Sequence, residues 1–294
     1  MEADRLFDTE LVRRNRLRAL RAATEGADFL LDIVSSELGE RLNVVERTFQ
    51  NAIALHAHTG SMADLMTGSG KVSSVVRVEQ DQQLLNEGHT GIVSDLERLP
   101  VADEAVGLII SPLSLHLVDD LPGLLLQINR ALSPDGLLLA ALPGGGTLAE
   151  LREALIAAES EQTGGVSARV MPFADVRDCG MLLQRAGFAL PVVDAETYTV
   201  RYDHMFALMR DLRNMGMSNP LAARSRKPAA RSLFLRAAEI YAERFSDPDG
   251  RIRATFNILY VSGWKPHASQ QKPLAPGSAK ASLAAALGSR EHKL

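Results

Sequence analysis

The amino-acid sequence predicts an α/β fold with a largely parallel, doubly wound sheet, and three observations predict it. From residue 51 onward, short apolar runs of strand length alternate with helix-compatible segments, the pattern of a sheet covered on both faces. The turn sequence Ser133-Pro134-Asp135-Gly136 lies between a helical stretch and another apolar run, ending one element and launching the next. A last strand-like run, Thr255 to Trp264, returns after a long helical stretch.

Residues 1 to about 48 read as an N-terminal helical segment. In it Leu30, Ile33, Val34, Leu38, Leu42 and Val45 recur at spacings of three and four, the apolar stripe of a packing helix. Asp28 is its expected N-cap. Strands are expected at Ala52 to Ala57, Val72 to Val78, Gly91 to Ser94, Val106 to Ser111 and Gly136 to Leu142. Helical pieces lie between them at Met62 to Thr67, Gln80 to Glu87 and Leu121 to Leu132. After Gly144-Gly145-Gly146, a helix covers 147 to 160, and Thr163-Gly164-Gly165 breaks the chain again. A helix from Asp175 to Ala186 is stopped by Gly187, a residue suited to a helix C-terminus. Two strands follow, Phe188 to Asp194 and Tyr198 to Tyr202, and then two helices, 203 to 216 and 228 to 245.

The domain is therefore read as 49–264, carrying a helical insertion at about 203–250. That insertion is expected to roof the pocket with Met205, Phe206 and Leu208 beside Arg210 and Arg213, since elements over a crevice commonly select substrates. In the last strand Phe256, Ile258 and Tyr260 share one face. The stretch 265–294, rich in Pro, Ser, Ala and Lys, reads as a flexible tail.

Composition narrows the function. Of 294 residues, 46% are hydrophobic and 23% charged, which excludes fibrous and wholly disordered classes. With 32 basic and 36 acidic residues the net charge is −4, so no basic excess points to nucleic acid or an anionic membrane surface. No apolar run reaches the roughly 18–20 residues of a bilayer span, and the arginine-rich start is interspersed with Glu2, Asp4, Asp8 and Glu10, unlike a transit peptide. The lone Cys179 forms no internal disulfide. The chain reads as cytoplasmic.

Ligands of open α/β sheets bind beyond the carboxyl ends of the strands, where strand order reverses. The first loop placed there is Ala54-Leu55-His56-Ala57-His58-Thr59-Gly60. Glycines usually build such a loop, because they adopt positive φ and admit a ligand close to the backbone; here only Gly60 stands at such a place. Glu79 ends the second strand nineteen positions after Gly60, the spacing at which a carboxylate accepts hydrogen bonds from ribose hydroxyls. A solvated acid at a strand end is the plainer alternative.

Asp95, followed by Leu96, is placed after the third strand, either to accept from an amino group such as adenine's or to cap a turn. His56 and His58 share one side of an extended strand, as two metal ligands would, but no third ligand stands with them and no metal site is expected. His116 follows the fourth strand, at the place of a general acid or base or of a pocket-lining ring. Cys179, in a helical stretch, reads as core.

These residues carry a family resemblance. Leu99-Pro100-Val101, Ser111-Pro112-Leu113-Ser114-Leu115-His116-Leu117-Val118 with Asp119-Asp120-Leu121-Pro122, and Leu132-Ser133-Pro134-Asp135-Gly136 resemble a type 11 domain of the class I S-adenosylmethionine (SAM) dependent methyltransferases. More narrowly, Phe7-Asp8, Gly146-Thr147-Leu148, Glu150-Leu151-Arg152, Pro172-Phe173, Arg185-Ala186-Gly187-Phe188, Met205-Phe206, Leu208-Met209 and Gly263-Trp264-Lys265 are similar to bacterial relatives of the methyltransferase-like mitochondrial complex I assembly factor, an arginine hydroxylase family.

The resemblance implies a Rossmann-like sheet of seven strands, the seventh antiparallel. It implies a SAM pocket contacted by Ala57, His58, Thr59, Gly60, Glu79, Asp95, Leu96 and Ser111, with His116 beside it as the catalytic candidate. Ala54 replaces the family's strand-one acid, His56 and His58 replace loop glycines, and Gly107 replaces the strand-four acid.

Three functions follow. The first is methyl transfer from SAM to an unidentified small-molecule or protein acceptor. The second is arginine hydroxylation in complex I assembly, with a respiratory complex I subunit as partner; it needs an oxygen-activating iron, for which His56, His58 and Glu79 can be imagined as ligands without a supporting geometry in the sequence. The third is a non-catalytic interaction module with an eroded SAM site. The first leads, because methyl transfer depends mainly on alignment and needs no conspicuous nucleophile.

Overall fold

The computed structural model describes residues 5–85 and 88–270. The N-terminal segment forms two helices, α1 (Thr9–Ala22) and α2 (Phe29–Asn43). Ala23 and Gly26 in the left-handed region, at φ 43° and 71°, turn the chain between them. Then come β1 (Phe49–Leu55), α3 (Ser61–Gly68), β2 (Val72–Glu79), β3 (Thr90–Val93), β4 (Val106–Pro112), α4 (Leu121–Ala131) and β5 (Leu132–Pro143). The second half contributes α5 (Ala149–Thr163), α6 (Val176–Arg185), β6 (Ala189–Tyr202), α7 (Met205–Asn214), α8 (Arg231–Phe245) and β7 (Ile252–Trp264).

All seven strands join one sheet in the order β3-β2-β1-β4-β5-β7-β6. β1 through β5 pair in parallel, whereas β7 inserts antiparallel to both β5 and β6. Alternate residues explain the unbroken apolar runs. Ala52, Ala54, Leu108, Ile110, Phe256, Ile258 and Tyr260 face the core shared with α2, α3, α5, α7 and α8. Ile53, Leu55, Ile109, Leu138, Leu259 and Val261 face the core shared with α4 and α6, so both faces are dry. The shared face of Phe256, Ile258 and Tyr260 is as expected, but its opposite face is buried too.

Two elements differ from expectation. The helix expected at Gln80 to Glu87 does not form over its described part, which holds only a 3₁₀ turn at Gln82–Leu84. The Asp81 carboxylate accepts from the Gln83 amide (2.9 Å), and the Leu84 carbonyl accepts from Arg77 Nη2 (2.9 Å), so the groups that would propagate a helix are already engaged. The two strands expected from Phe188 to Tyr202 are a single strand, because β7 pairs through Ala195 to Thr197 without a break. The expected flexible tail lies outside the described residues from 271 on. Its first residues are tied to the sheet, with Lys265 N donating to Gly136 O (2.8 Å) and Gln270 Nε2 to Asp135 Oδ1 (2.9 Å). Among the described residues no helix is long and apolar enough to cross a membrane.

The N-terminal helix is laid across the C-terminal end of the sheet. Phe7 N donates to Asp119 Oδ1 (3.0 Å), Arg224 Nη2 to Asp8 Oδ2 (2.8 Å) and Asn15 Nδ2 to the Ser218 carbonyl (3.3 Å). Gly216, at φ 74°, lets the loop after α7 meet the α1 backbone, and a Cβ there would stand 3.3 Å from the Arg16 Cα. Gly216→Ala should therefore lower unfolding stability by about 1–3 kcal/mol through left-handed strain and backbone crowding. Urea denaturation of both proteins measures it, and an unchanged midpoint would refute the close approach.

Candidate functional site

Strand order reverses between β1 and β4, and there a cavity of about 320 Å³ opens. Asn15 and Arg16 of α1, His58 after β1, and Pro112, Leu113, His116 and Leu117 at and after the end of β4 line it. Leu151 and Leu155 of α5, Met209 and Leu212 of α7, and the following Met215 to Pro220 line it too. The helical insertion thus contributes to the roof, but with Met209 and Leu212. Met205 and Leu208 are buried in the core, while Phe206 is exposed.

The loop after β1 follows a glycine-like path with histidines in it. His56 has φ 50° and His58 φ 69°, a region in which histidine is commoner than most side chains. The loop is held at four points. His56 N donates to Val78 O (2.7 Å), His58 N to Glu79 Oε1 (3.0 Å), Thr59 N to Ala57 O (2.7 Å), and the Thr59 and Ser61 hydroxyls meet at 3.2 Å. Gly60 has an ordinary φ of −76° and serves as the residue before α3. The positions that require left-handed backbone are thus the two histidines.

Glu79 ends β2 fully buried. Its Oε1 accepts from His58 N and from Arg77 Nη2 (3.2 Å), and its Oε2 has no partner. Burial raises its pKa to about 7, against the lowering pull of Arg16 and Arg77. Arg16, 4% exposed, projects from the buried stripe of α1 that also holds Val12, Asn15 and Ala19, and its Nη1 has no hydrogen-bond partner. Its charge also acts on three rings. Burial first, and Arg16 second, push His56, His58 and His116 each down to about 3. All three imidazoles are neutral at physiological pH.

His116 sits on a 3₁₀ turn at Leu115–Leu117, with its ring 6.4 Å from that of Phe173 and Nδ1 unpartnered. A ring so hard to protonate is far from the neutral pKa of an efficient general base, and its position suits hydrogen bonding to a ligand. Ser111 is buried, its hydroxyl donating to the Leu55 carbonyl (3.0 Å) and meeting the Ser114 hydroxyl at 2.8 Å. It ties β4 to β1 rather than facing the cavity. Asp95 is exposed beyond β3, where its carbonyl accepts from Arg98 N (3.1 Å). Leu96 and Ala57 are buried apolar packing.

The structure thus brings His58, Glu79 and His116 around Arg16 and leaves Asp95 and Ser111 outside that group. Arg16 is the residue that sequence reasoning missed. Its signal was a polar pair, Asn15-Arg16, within the 12-15-16-19 helical spacing that buries one face.

Residues 57–140 match a family model described as a methyltransferase domain. The human arginine-hydroxylase NDUFAF5, mitochondrial, is 38% identical over 287 residues, which are 95% of this chain and 82% of that protein. The protein of the same name from Dictyostelium discoideum is 37% identical, and the match spans 86% of this chain and 63% of that longer protein. The malonyl-[acyl-carrier protein] O-methyltransferase of Xylella fastidiosa is 32% identical over 89% of both chains. In solved structures the fold is similar to that of the YcgJ protein of Bacillus subtilis, with TM-score 0.55 at 13% identity over 79% of this chain and 99% of that one.

Methyltransferases of this fold bind SAM. The residues here fit a nucleoside with hydroxyl donors, because a buried carboxylate oxygen, Glu79 Oε2, stands without a donor at the end of β2.

The buried rings set a pH dependence. Their folded pKa near 3 lies below the ordinary 6.5, so the stability they confer is present above 6.5 and is lost as pH falls toward 3. Glu79 acts oppositely, its contribution being present below 4.5 and lost as pH rises through about 7. Between 4.5 and 6.5 three imidazole protons outweigh one carboxyl proton, so acidification destabilises. His58→Asn keeps a residue that tolerates left-handed backbone and removes one titration. It should lose less stability than the parent from pH 6.5 to 4.5 in urea unfolding, and an equal loss would refute the buried neutral ring.

Proposed function

We propose that this chain, which belongs to the class I SAM-dependent methyltransferase family, binds SAM at the C-terminal end of its sheet and methylates an acceptor held in the apolar cavity. The observation that carries the reading is the buried Glu79 carboxylate, fixed by the His58 amide and keeping one oxygen for a ligand. Glu79 would receive the ribose hydroxyls, and the loop from Ala57 to Gly60 would border the methionine end. When bound, the cofactor supplies an electrophilic methyl group.

The chain's own part is alignment and exclusion of water. Leu151, Leu155, Met209 and Leu212 make the cavity apolar, and His116 Nδ1 offers a hydrogen bond that orients an acceptor N–H or O–H. The acceptor is a small molecule or a protein side chain, and the site of action the cytoplasm. The relatives named mitochondrial carry that location for themselves.

A second reading, hydroxylation of an arginine on a respiratory complex I subunit, draws support from one observation. The relatives named arginine-hydroxylase NDUFAF5 are 37–39% identical, against 30–32% for the O-methyltransferases. Mass spectrometry of purified complex I subunits after aerobic incubation with the enzyme, SAM, ferrous iron and a reductant separates the two. Gain of a methyl group fulfils the first reading; gain of one oxygen atom replaces it with the second.

Glu79→Gln should weaken SAM binding by about 10–100-fold, as loss of a charge-assisted acceptor entails. Glutamine is the apt substitution, because alanine would strip the partner from the His58 amide and from Arg77. Calorimetric titration of both proteins measures the effect, and equal affinities would remove Glu79 from the site.

A further inference from the structure

We propose that residues 164–173 form a gate to the apolar cavity, and that the Glu159 carboxylate is its latch. Arg169, Val170, Met171 and Phe173 line the cavity, so this stretch between α5 and α6 is part of its wall. Yet from 166 to 173 it has no helix or strand, and it makes no backbone-to-backbone hydrogen bond among the described residues. Backbone left out of the ladders opens at lower cost than the sheet. Side chains hold it instead.

One carboxylate carries most of that load. Glu159, near the end of α5 and 6% exposed, accepts four hydrogen bonds from two residues of the segment. Ser167 donates through its amide (2.8 Å) and its hydroxyl (2.9 Å), and Arg169 through Nε (3.2 Å) and Nη2 (2.6 Å). Bonds to a charged acceptor are the strong ones. Arg169 above all keeps the Glu159 pKa at about 2, so the acceptor stays charged at neutral pH. The other ties are single bonds, from Arg152 Nη2 to the Met171 carbonyl (2.6 Å) and from Asn219 Nδ2 to the Ala168 carbonyl (2.9 Å).

The segment is also built to swing. At one end Gly164 has φ 68°, and Gly165 has open space where a Cβ would stand, the backbone freedom of a hinge. At the other end the Ala174 carbonyl is pinned by the Gly145 amide (2.9 Å). Between them Met171 and Phe173 pack with Phe7, Leu117 and Leu221 in a small cluster separate from the two cores beside the sheet. Satellite clusters of this kind lie under long loops. Of the segment's apolar residues, Val170 alone packs at the margin of a main core. Lifting the segment therefore leaves both main cores whole.

Such a latch has a kinetic signature. Its bonds must break for the gate to open, whether the cavity is empty or occupied. Weakening them therefore speeds entry and exit by the same factor and leaves the equilibrium affinity unchanged. A wall that merely touches the ligand behaves otherwise, because its loss changes exit and affinity together. The inference rests on the reading that a ligand occupies this cavity, and on neither the identity of the cofactor nor the reaction.

Stopped-flow fluorescence with N-phenyl-1-naphthylamine, a neutral apolar dye that a freed Arg169 does not attract, tests it. Only the signal removed by Met209→Trp, which narrows the cavity, is counted. Glu159→Gln should raise the association and dissociation rates by about tenfold each, the factor that loss of a charge-assisted bond brings, at an equal Kd. Ser167→Ala, which keeps the Arg169 pair, should raise both by less, and it serves where Glu159→Gln does not fold. Hydrogen exchange read by mass spectrometry should quicken at residues 166–173 in either variant, with β1, β4 and β5 unchanged. If the dye finds no such site, if only its dissociation changes, or if the segment exchanges no faster, the gate is overturned. S-adenosylhomocysteine titrated alongside tests the SAM reading alone. Its failure to bind would remove that reading and leave the gate standing.

Discussion

The hydrogen bond from the His58 amide to the Glu79 carboxylate, 3.0 Å long, joins the carboxyl ends of β1 and β2, and the rest of the crevice depends on it. A loop with two left-handed histidines is strained on its own, by roughly 1–2 kcal/mol for each residue. The charged acceptor and the Val78 carbonyl that receives the His56 amide offset that strain. Once Glu79 is committed there, Arg77 must lie inside the sheet beside it, fully buried.

Much of the scaffold was legible because the sheet is buried on both faces. Runs such as Val106 to Ser111 have no polar alternation to blur them, whereas Ser133–Gly136, expected as a turn before the strand, lies within β5, where the register with β4 shifts between Val106 and Leu108. Legibility failed where a tertiary contact overrode a local pattern. Gln80 to Glu87 has helical composition, but Arg77 takes the Leu84 carbonyl. The site was half legible. Glu79 could be found by counting from Gly60, since strand and loop lengths are constrained. Ser111 could not be sorted by sequence, because only the register places its hydroxyl on the Leu55 carbonyl. Arg16 was hidden for a similar reason: an arginine on a helix reads as solvated until its partners across the crevice are known.

The departures from the family pattern are embedded in packing. Ala54, where the resemblance implies an acid, is fully buried among apolar neighbours. Gly107, the second such position, faces Phe49, whose ring carbon would lie 3.0 Å from an added Cβ. Restoring either acid by itself would bury an unpaired charge or displace the Phe49 ring. The histidine loop and these two small residues therefore form a consistent local solution.

The contacts that hold the N-terminal helix join partners far apart along the chain. Phe7 and Asp119 are 112 residues apart, Asn15 and Ser218 are 203, and Asp8 and Arg224 are 216. Loops that long close only after the intervening chain is ordered. Their few polar contacts are also weaker than the continuous ladders of the sheet. The cap is thus among the last parts to assemble and among the first to release. Native-state hydrogen exchange at α1 would report a partial opening distinct from global unfolding.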